Sequence, residues 1–382
     1  MKTRTKILRG LTVLTLAGPL AAAAQDIKIG GLVETSGFIA SLGQPLLEGA
    51  MLAVEQVNAA GGINGRKVEF VNINTESDNT KTVTAAKRLL EQDKVVAIIG
   101  PSSSGSAFAV ADTIERAKMP MIANGASRGI VQPPENRTYT FLAPLTDVVV
   151  QGVMLRDMQA KGIKNVAILN SDVAFGTSGR DSLEKGAGQY GITIVAKETF
   201  GNADTDMTPQ LTKIRASGAD ATVLWATGPA LAIATKNHRA LGIKTPLYLA
   251  HSANDFNFLR LAGDAANGVL LPSSKIYVTA ALPASDPQKA VLERFVQAYE
   301  KRYGKPPATF AGNGYDAAMM LMDAIKRAGT DPQKLRAAIE STKDYVGVTA
   351  VYSYAPDDHY GTKPESVVML TVKDNKFMLA GK

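Results

Sequence analysis

Between Val95 and Ser127 one stretch of chain dictates the architecture. Five apolar residues, Val95-Val96-Ala97-Ile98-Ile99, stop at Gly100-Pro101, and Ser102, Ser103, Ser104 and Gly105 follow. Ala107, Val110, Ala111, Ile114 and Ala117 then recur at helical spacing. A short unbroken apolar run reads as a strand buried on both faces, and a helix straight after it reads as the repeating unit of a parallel sheet. The turn between them offers backbone N–H groups, hydroxyls and the positive end of a helix dipole to one small anion. Spacing alone leaves two readings open: a plain N-cap on Ser104, or an anion site.

The same rhythm runs along the chain. Ile27 to Val33 reads as a first strand, and Pro45 to Asn58 as a helix with Leu46, Leu47, Ala50, Met51, Val54 and Val57 on one face. Gly61-Gly62 ends that helix, and Asn64-Gly65 turns the chain into a strand over Val68 to Ile73. A helix near Thr80 to Gln92 precedes the Val95 run, and Met121-Ile122 is a short strand. The pattern pauses around Tyr139 to Asp147 and then restarts. Strands at Val166 to Leu169, Ile192 to Ala196, Ala221 to Trp225 and Leu247 to Ala250 alternate with helices, so a second α/β unit follows the first. After a strand at Gly268 to Leu271 come helices at Pro287 to Tyr303, Phe310 to Ala328 and Pro332 to Ser341, with closing strands at Val348 to Tyr354 and Val367 to Val372.

Residues 1–24 stand apart. Lys2, Arg4, Lys6 and Arg9 precede a short apolar core, Leu11 to Leu20, and Ala22-Ala23-Ala24 supplies small residues for cleavage. This is the pattern of a secretory signal peptide, too short to span a bilayer. Without its four cations the balance falls from +7 to 38 basic against 35 acidic residues, or +3. No basic cluster interleaved with aromatics appears, which argues against nucleic acid as a partner. Cysteine is absent. A chain this long builds a core without disulfides, and without a cysteine at the cleavage site the mature protein is expected free in a periplasm, not lipid-anchored.

Catalytic motifs are missing. Gly100 to Gly105 has phosphate-loop spacing, but Ser106 and Ala107 stand where Lys and Ser/Thr are required, which argues against a nucleotide. A neutral serine turn suits a singly charged carboxylate better. A second hydroxyl turn, Asn124-Gly125-Ala126-Ser127, follows the neighbouring strand, and ligands of open α/β sheets sit at such strand ends. Gly312-Asn313-Gly314 loosely matches a dinucleotide fingerprint but reads better as a loop that positions Tyr315. His238, His251 and His359 have no metal spacing, so neither a metal nor a cofactor is expected. His238 reads as solvated beside Arg239, and His251 as equally open to a cleft-facing or a buried role. Asp204 and Asp206 read as loop or N-cap residues. Trp225 continues an apolar strand and reads as core, whereas Phe175, beyond its strand and beside Gly176, reads as cleft-facing. With no G-x-S-x-G elbow and so few histidines, an enzyme such as a secreted hydrolase has no nucleophile to name.

Asn58-Ala59-Ala60-Gly61-Gly62-Ile63-Asn64-Gly65-Arg66 with Lys67-Val68-Glu69 is similar to a stretch of leucine/isoleucine/valine-type solute-binding proteins of ABC importers. The serine turn, the Met121 to Ser127 turn, Phe175-Gly176 and Gly314-Tyr315-Asp316-Ala317 extend the resemblance over the whole mature chain. It implies a type I periplasmic binding protein fold: an α/β protein of two Rossmann-like lobes joined by three crossing segments, with a ligand in the cleft. The expected division is 26–145 plus 274–345 for lobe 1 and 146–273 plus 346–382 for lobe 2.

By that resemblance Ser103, Ser104, the Gly125 backbone and Ser127 hold a ligand carboxylate. Phe175, Leu42 and Gly228 fall at positions that are often aromatic, and Tyr315 joins the site. One departure matters. Where the family places an acid for the ligand ammonium, this chain reads His251-Ser252-Ala253-Asn254, and Asp255 is expected to start the next helix. A buried ammonium without a carboxylate is expensive. The expectation is therefore a monomeric, non-enzymatic receptor for an aromatic or aliphatic acid rather than an α-amino acid, with His251 or Ser252 bonding a distal hydroxyl and an inner-membrane ABC permease as partner. A branched-chain or other hydrophobic amino-acid binder and a ligand-sensing protein are the alternatives.

Overall fold

The computed structural model describes residues 25–381; the signal-peptide reading falls outside them. Five parallel strands form a first sheet: β1 (Ile27–Gly31), β2 (Val68–Asn72), β3 (Ala97–Ile99), β4 (Met121–Ala123) and β5 (Thr140–Leu142), in the order β2-β1-β3-β4-β5. A second sheet holds β6 (Asn165–Ser171), β7 (Thr193–Phe200), β8 (Ala221–Trp225), β9 (Leu247–Leu249) and β10 (Leu270–Ser273). A two-stranded ribbon, β11 (Tyr345–Val346) with β12 (Val351–Tyr352), lies outside both sheets. The chain then returns to the second sheet as β13 (Val368–Lys373) and β14 (Lys376–Leu379), both antiparallel, giving the order β14-β13-β10-β9-β8-β6-β7.

The helices are α1 (Ala40–Ala59), α2 (Asn79–Arg88), α3 (Ser104–Ala117), α4 (Asp147–Ala160), α5 (Ala174–Ala187), α6 (Thr208–Ala216) and α7 (Gly228–Ala240). After them come α8 (Phe256–Ala262), α9 (Lys289–Tyr303), α10 (Thr309–Ala328) and α11 (Pro332–Glu340). Burial explains the strand signals. Central β6 and β8 are covered on both faces and read as continuous apolar runs, whereas edge strand β7 alternates exposed and half-buried residues. Each sheet has a place where the strand order reverses, between β1 and β3 and between β6 and β8. Such switch points open a crevice at the carboxyl ends of the strands.

Several expectations shift. The segment around Tyr139 contains β5 rather than only a pause. Val348 to Tyr354 is not one strand but part of the β11/β12 ribbon, and β14 is an addition. α1 begins at Ala40, with Pro45 inside it rather than at its first turn, so Leu42 is helical. His238 is fully buried, not solvated, because it lies on the inward face of α7; neither ring nitrogen has a partner among the described residues, and burial pushes its pKa down to about 4.

Gly312-Asn313-Gly314 is not a loop but part of α10. Its glycine serves close packing: a Cβ on Gly314 would lie 2.0 Å from the Leu46 carbonyl oxygen, and one on Gly49 of α1 would lie 1.9 Å from that of Ala311. Tyr315 donates to Gln56 Oε1 of α1 at 2.7 Å. Two backbones in contact tolerate no extra methyl. Gly314→Ala is expected to cost about 1–3 kcal/mol through overpacking, read as a lower urea midpoint; an unchanged midpoint would show that α1 and α10 separate freely.

Candidate functional site

The ends of β1 and β3 meet through a buried carboxylate. Glu34, just past β1, is fully buried. It accepts from the Ser102 N–H at 2.7 Å and from the Ser103 N–H at 3.2 Å. The serine turn therefore already cradles an anion, and that anion belongs to the chain. Asn72, at the end of β2, accepts from the Val33 N–H at 2.9 Å and donates to the Val33 carbonyl at 3.3 Å. A Cβ on Gly43 would lie 1.8 Å from the Glu34 carbonyl oxygen, so α1 rests directly on this loop. Glu34 is absent from the sequence expectations because nothing local marks it: its partners lie 68 and 69 residues away.

The helix cap is Ser103, whose Oγ accepts from the Ser106 N–H at 3.1 Å; it is not Ser104. Ser104 is free for other use. Its Oγ accepts from the Ser127 N–H at 3.3 Å, which leaves its own proton to donate. The first N–H groups of α3 have no partner within the helix.

A cavity of about 230 Å³ opens beside these groups. From the first unit it is lined by Phe38, Leu42, Ser102, Ser103, Ser104 and Asn124, and from the second by Phe175, Thr227, His251, Ser252 and Asn254. Phe310 and Asn313 of α10 close a third side. Ser103, Ser104, Leu42, Phe175, His251 and Ser252 are thus brought together around one cavity. Four other expected residues do not line the cavity. Gly125 lies against α3, where a Cβ would meet Ser104 Cα at 2.8 Å; glycine there lets the two turns touch. Ser127 is fully buried behind Ser104 and acts on it through its backbone. Gly228 has φ +66°, and a Cβ on it would lie 2.5 Å from the Phe38 carbonyl oxygen, so it lets the two units meet. Tyr315 is committed to the α1–α10 contact.

The lining residues that the sequence reading missed include several amides and hydroxyls. Asn124 has both side-chain polar atoms buried without a partner, and Ser102 Oγ, Thr227 Oγ1, Asn254 Oδ1 and Asn313 Oδ1 are in the same condition. Buried polar groups are nearly always hydrogen-bonded. These unpaired atoms belong to residues that line the same cavity. The signal available beforehand was position: Asn124 follows β4 directly and Thr227 lies two residues past β8.

No Asp, Glu, Lys or Arg lines the cavity among the described residues. Asp255 caps α8 by accepting from the Asn257 N–H at 3.0 Å and stays outside the lining. His251 sits edge-on to Phe175 and Trp225, with ring centroids at 5.4 and 6.0 Å, and burial pushes its pKa down to about 4. It is neutral at physiological pH. Trp225 is core.

A family model described as "Periplasmic binding protein" matches residues 26–376. The Leu/Ile/Val-binding protein homolog 7 of Brucella abortus is 25% identical over 385 residues, covering 98% of this chain and 96% of its own. An extracellular ligand-binding receptor from Rhodopseudomonas palustris superposes with a TM-score of 0.86 at 28% identity, covering 93% of this chain and 99% of its own. The branched-chain amino acid transporter substrate binding protein LivJ of Streptococcus pneumoniae, solved in complex with isoleucine, gives 0.80 at 28% identity, covering 92% and 97%.

Two measurements follow from this geometry. Glu34→Gln keeps the shape but turns one acceptor into a donor, leaving a buried serine-turn N–H unsatisfied. The expected cost is about 1–3 kcal/mol in urea denaturation. For His238 and His251, the unfolded chain titrates near 6.5 and the folded one near 4. Above pH 6.5 neither state gains a proton. Between 6.5 and 4 only the unfolded state does, so the ligand-free protein loses stability as pH falls, by up to about 1.4 kcal/mol per pH unit for each ring. His238→Leu removes one contribution and should flatten that fall; an unchanged slope between pH 6.5 and 4 would show that His238 does not titrate there.

Proposed function

The chain belongs to the periplasmic binding protein family, of the leucine/isoleucine/valine-binding type, and on that premise we propose that it is the substrate-binding component of an ABC importer whose cargo is a small carboxylate without an ammonium. The family is periplasmic, and its members bind small ligands and work with ABC permeases. The observation that carries the finer reading is that no Asp, Glu, Lys or Arg lines the cavity among the described residues. An α-amino acid would bury its ammonium with no carboxylate partner, at a cost of several kcal/mol. The positive end of α3 would add to that cost, whereas it favours an anion. Ser104 Oγ, the first N–H groups of α3 and the Asn124 amide supply donors for one carboxylate. Phe38, Leu42, Phe175 and Phe310 supply apolar surface for an aromatic or aliphatic body.

Binding works by bridging. The carboxylate donors belong to the first unit, while Phe175, Thr227 and His251 belong to the second, so one ligand touching both stabilises the closed form. The closed lobes are the form presented to the permease, and the protein acts as a monomer with no chemical step.

Isothermal titration of the purified protein tests this. Aromatic and aliphatic monocarboxylates are expected to bind, and leucine and valine to bind far more weakly. Ser104→Ala should weaken the acids by about 10- to 100-fold, the worth of a hydrogen bond to a charged group. Tight binding of leucine or valine with no binding of the acids would overturn the ligand assignment.

A further inference from the structure

The wall of the cavity opposite α3 carries polar atoms that a carboxylate does not use. Thr227 follows β8, and His251 and Asn254 follow β9. All three line the cavity and are at least nine-tenths buried. Thr227 Oγ1, His251 Nδ1 and Asn254 Oδ1 have no hydrogen-bond partner among the described residues. Ser252, between them in sequence, is committed: its Oγ donates to the Ala226 carbonyl.

The chemistry of this wall is specific. Asn254 Nδ2 donates to the Pro272 carbonyl at 2.9 Å. Only the amide nitrogen can make that bond, so Oδ1 is the atom left over, and it can only accept. Thr227 Oγ1 can donate or accept. The Thr227 side chain makes no capping bond to α7, so its hydroxyl has no structural employment. His251, neutral in its buried position, gives its one N–H to the Leu145 backbone carbonyl, so its free ring nitrogen can only accept.

Four ligand groups can be compared against that set. A second carboxylate would turn its lone pairs toward Asn254 Oδ1 with no cation to compensate. An ammonium would have no counter-charge. A methyl or bare ring edge would leave three buried polar atoms unpaired, at about 1–3 kcal/mol each. A hydroxyl donates to Asn254 Oδ1 or the free His251 nitrogen and accepts from Thr227, and alone satisfies both kinds of partner.

We propose that Thr227, His251 and Asn254 form a second subsite that binds a hydroxyl at the far end of the ligand, so that the cargo class is a hydroxylated monocarboxylate. This inference rests on the carboxylate reading above and adds to it. A cavity of about 230 Å³ holds one ring or a short chain between the two polar ends.

Two matched pairs test it by isothermal titration: 4-hydroxybenzoate against benzoate, and 5-hydroxypentanoate against pentanoate. In at least one pair the hydroxylated member should bind tighter by about tenfold or more, the worth of about 1.4 kcal/mol. Thr227→Val, of the same shape, should shrink that ratio, and Thr227→Ser should restore it. Equal affinities within both pairs, or a preference that survives Thr227→Val, would overturn the hydroxyl subsite and leave the carboxylate reading standing. Failure of all four acids to bind, whatever leucine does, would overturn the carboxylate reading itself.

Discussion

The carboxylate of Glu34 ties together the elements on which the cleft depends. Through Ser102 and Ser103 it joins the end of β1 to the β3–α3 turn, and through the close approach of Gly43 it seats α1 on the same loop. A buried carboxylate that accepts two backbone N–H groups is far more stable than one without partners. The turn cannot drift without exposing or orphaning that charge. Its consequence for ligand binding is equally direct. With the N–H groups of Ser102 and Ser103 already engaged, an incoming anion is left the next donors along: Ser104 Oγ and the first N–H groups of α3. The anion position is set by exclusion as well as by attraction.

The rest of the cavity follows a different electrostatic rule. It has many polar atoms and no formal charge among its lining residues. Neutral dipoles favour a ligand whose hydrogen bonds match them and add little long-range attraction, so discrimination falls to the pairing of individual atoms. An amide oxygen fixed by its own second bond, as in Asn254, rejects acceptors as firmly as it rewards donors. The neutral imidazole of His251 belongs to the same scheme: burial among Phe175 and Trp225 keeps it uncharged, and an uncharged ring repels neither a carboxylate nor a hydroxyl.

Much of this was legible in the chain. Alternating apolar runs and helical stretches give the two α/β units, because central parallel strands must be apolar on both faces. Ser104, Phe175 and His251 were legible as cavity residues because each follows a strand end, where crevices open. Glu34 was not, since a lone acid after a strand looks like any loop residue until its distant partners are placed. Gly125 and Gly228 were read as ligand positions, but both are places where backbones nearly touch, and sequence does not distinguish a glycine kept small for a ligand from one kept small for a neighbouring chain segment. His238 misled for a related reason: its neighbour Arg239 suggested solvent, while the helix turns the histidine inward. Tyr315 misled because it sits among motif residues whose role is the contact of α1 with α10.

Closure also depends on how the crossing segments are held. Asp316 of α10 is buried and accepts from the N–H groups of Val348 and Thr349, each at 2.7 Å, and from the Tyr352 hydroxyl at 3.1 Å. Tyr352 also contacts the Ala143 carbonyl, at 2.7 Å, on the segment that leaves β5. The segment leaving the first sheet and the ribbon that precedes β13 are therefore linked through one carboxylate on the helix that packs against α1. Burial raises its pKa to about 7, so the charge that these donors stabilise is held against a strong desolvation penalty. These hydrogen bonds hold the two segments to α10 as one set. The same α10 also brings Phe310 and Asn313 to the cavity. One helix thus carries part of the cavity wall and the anchor of these segments.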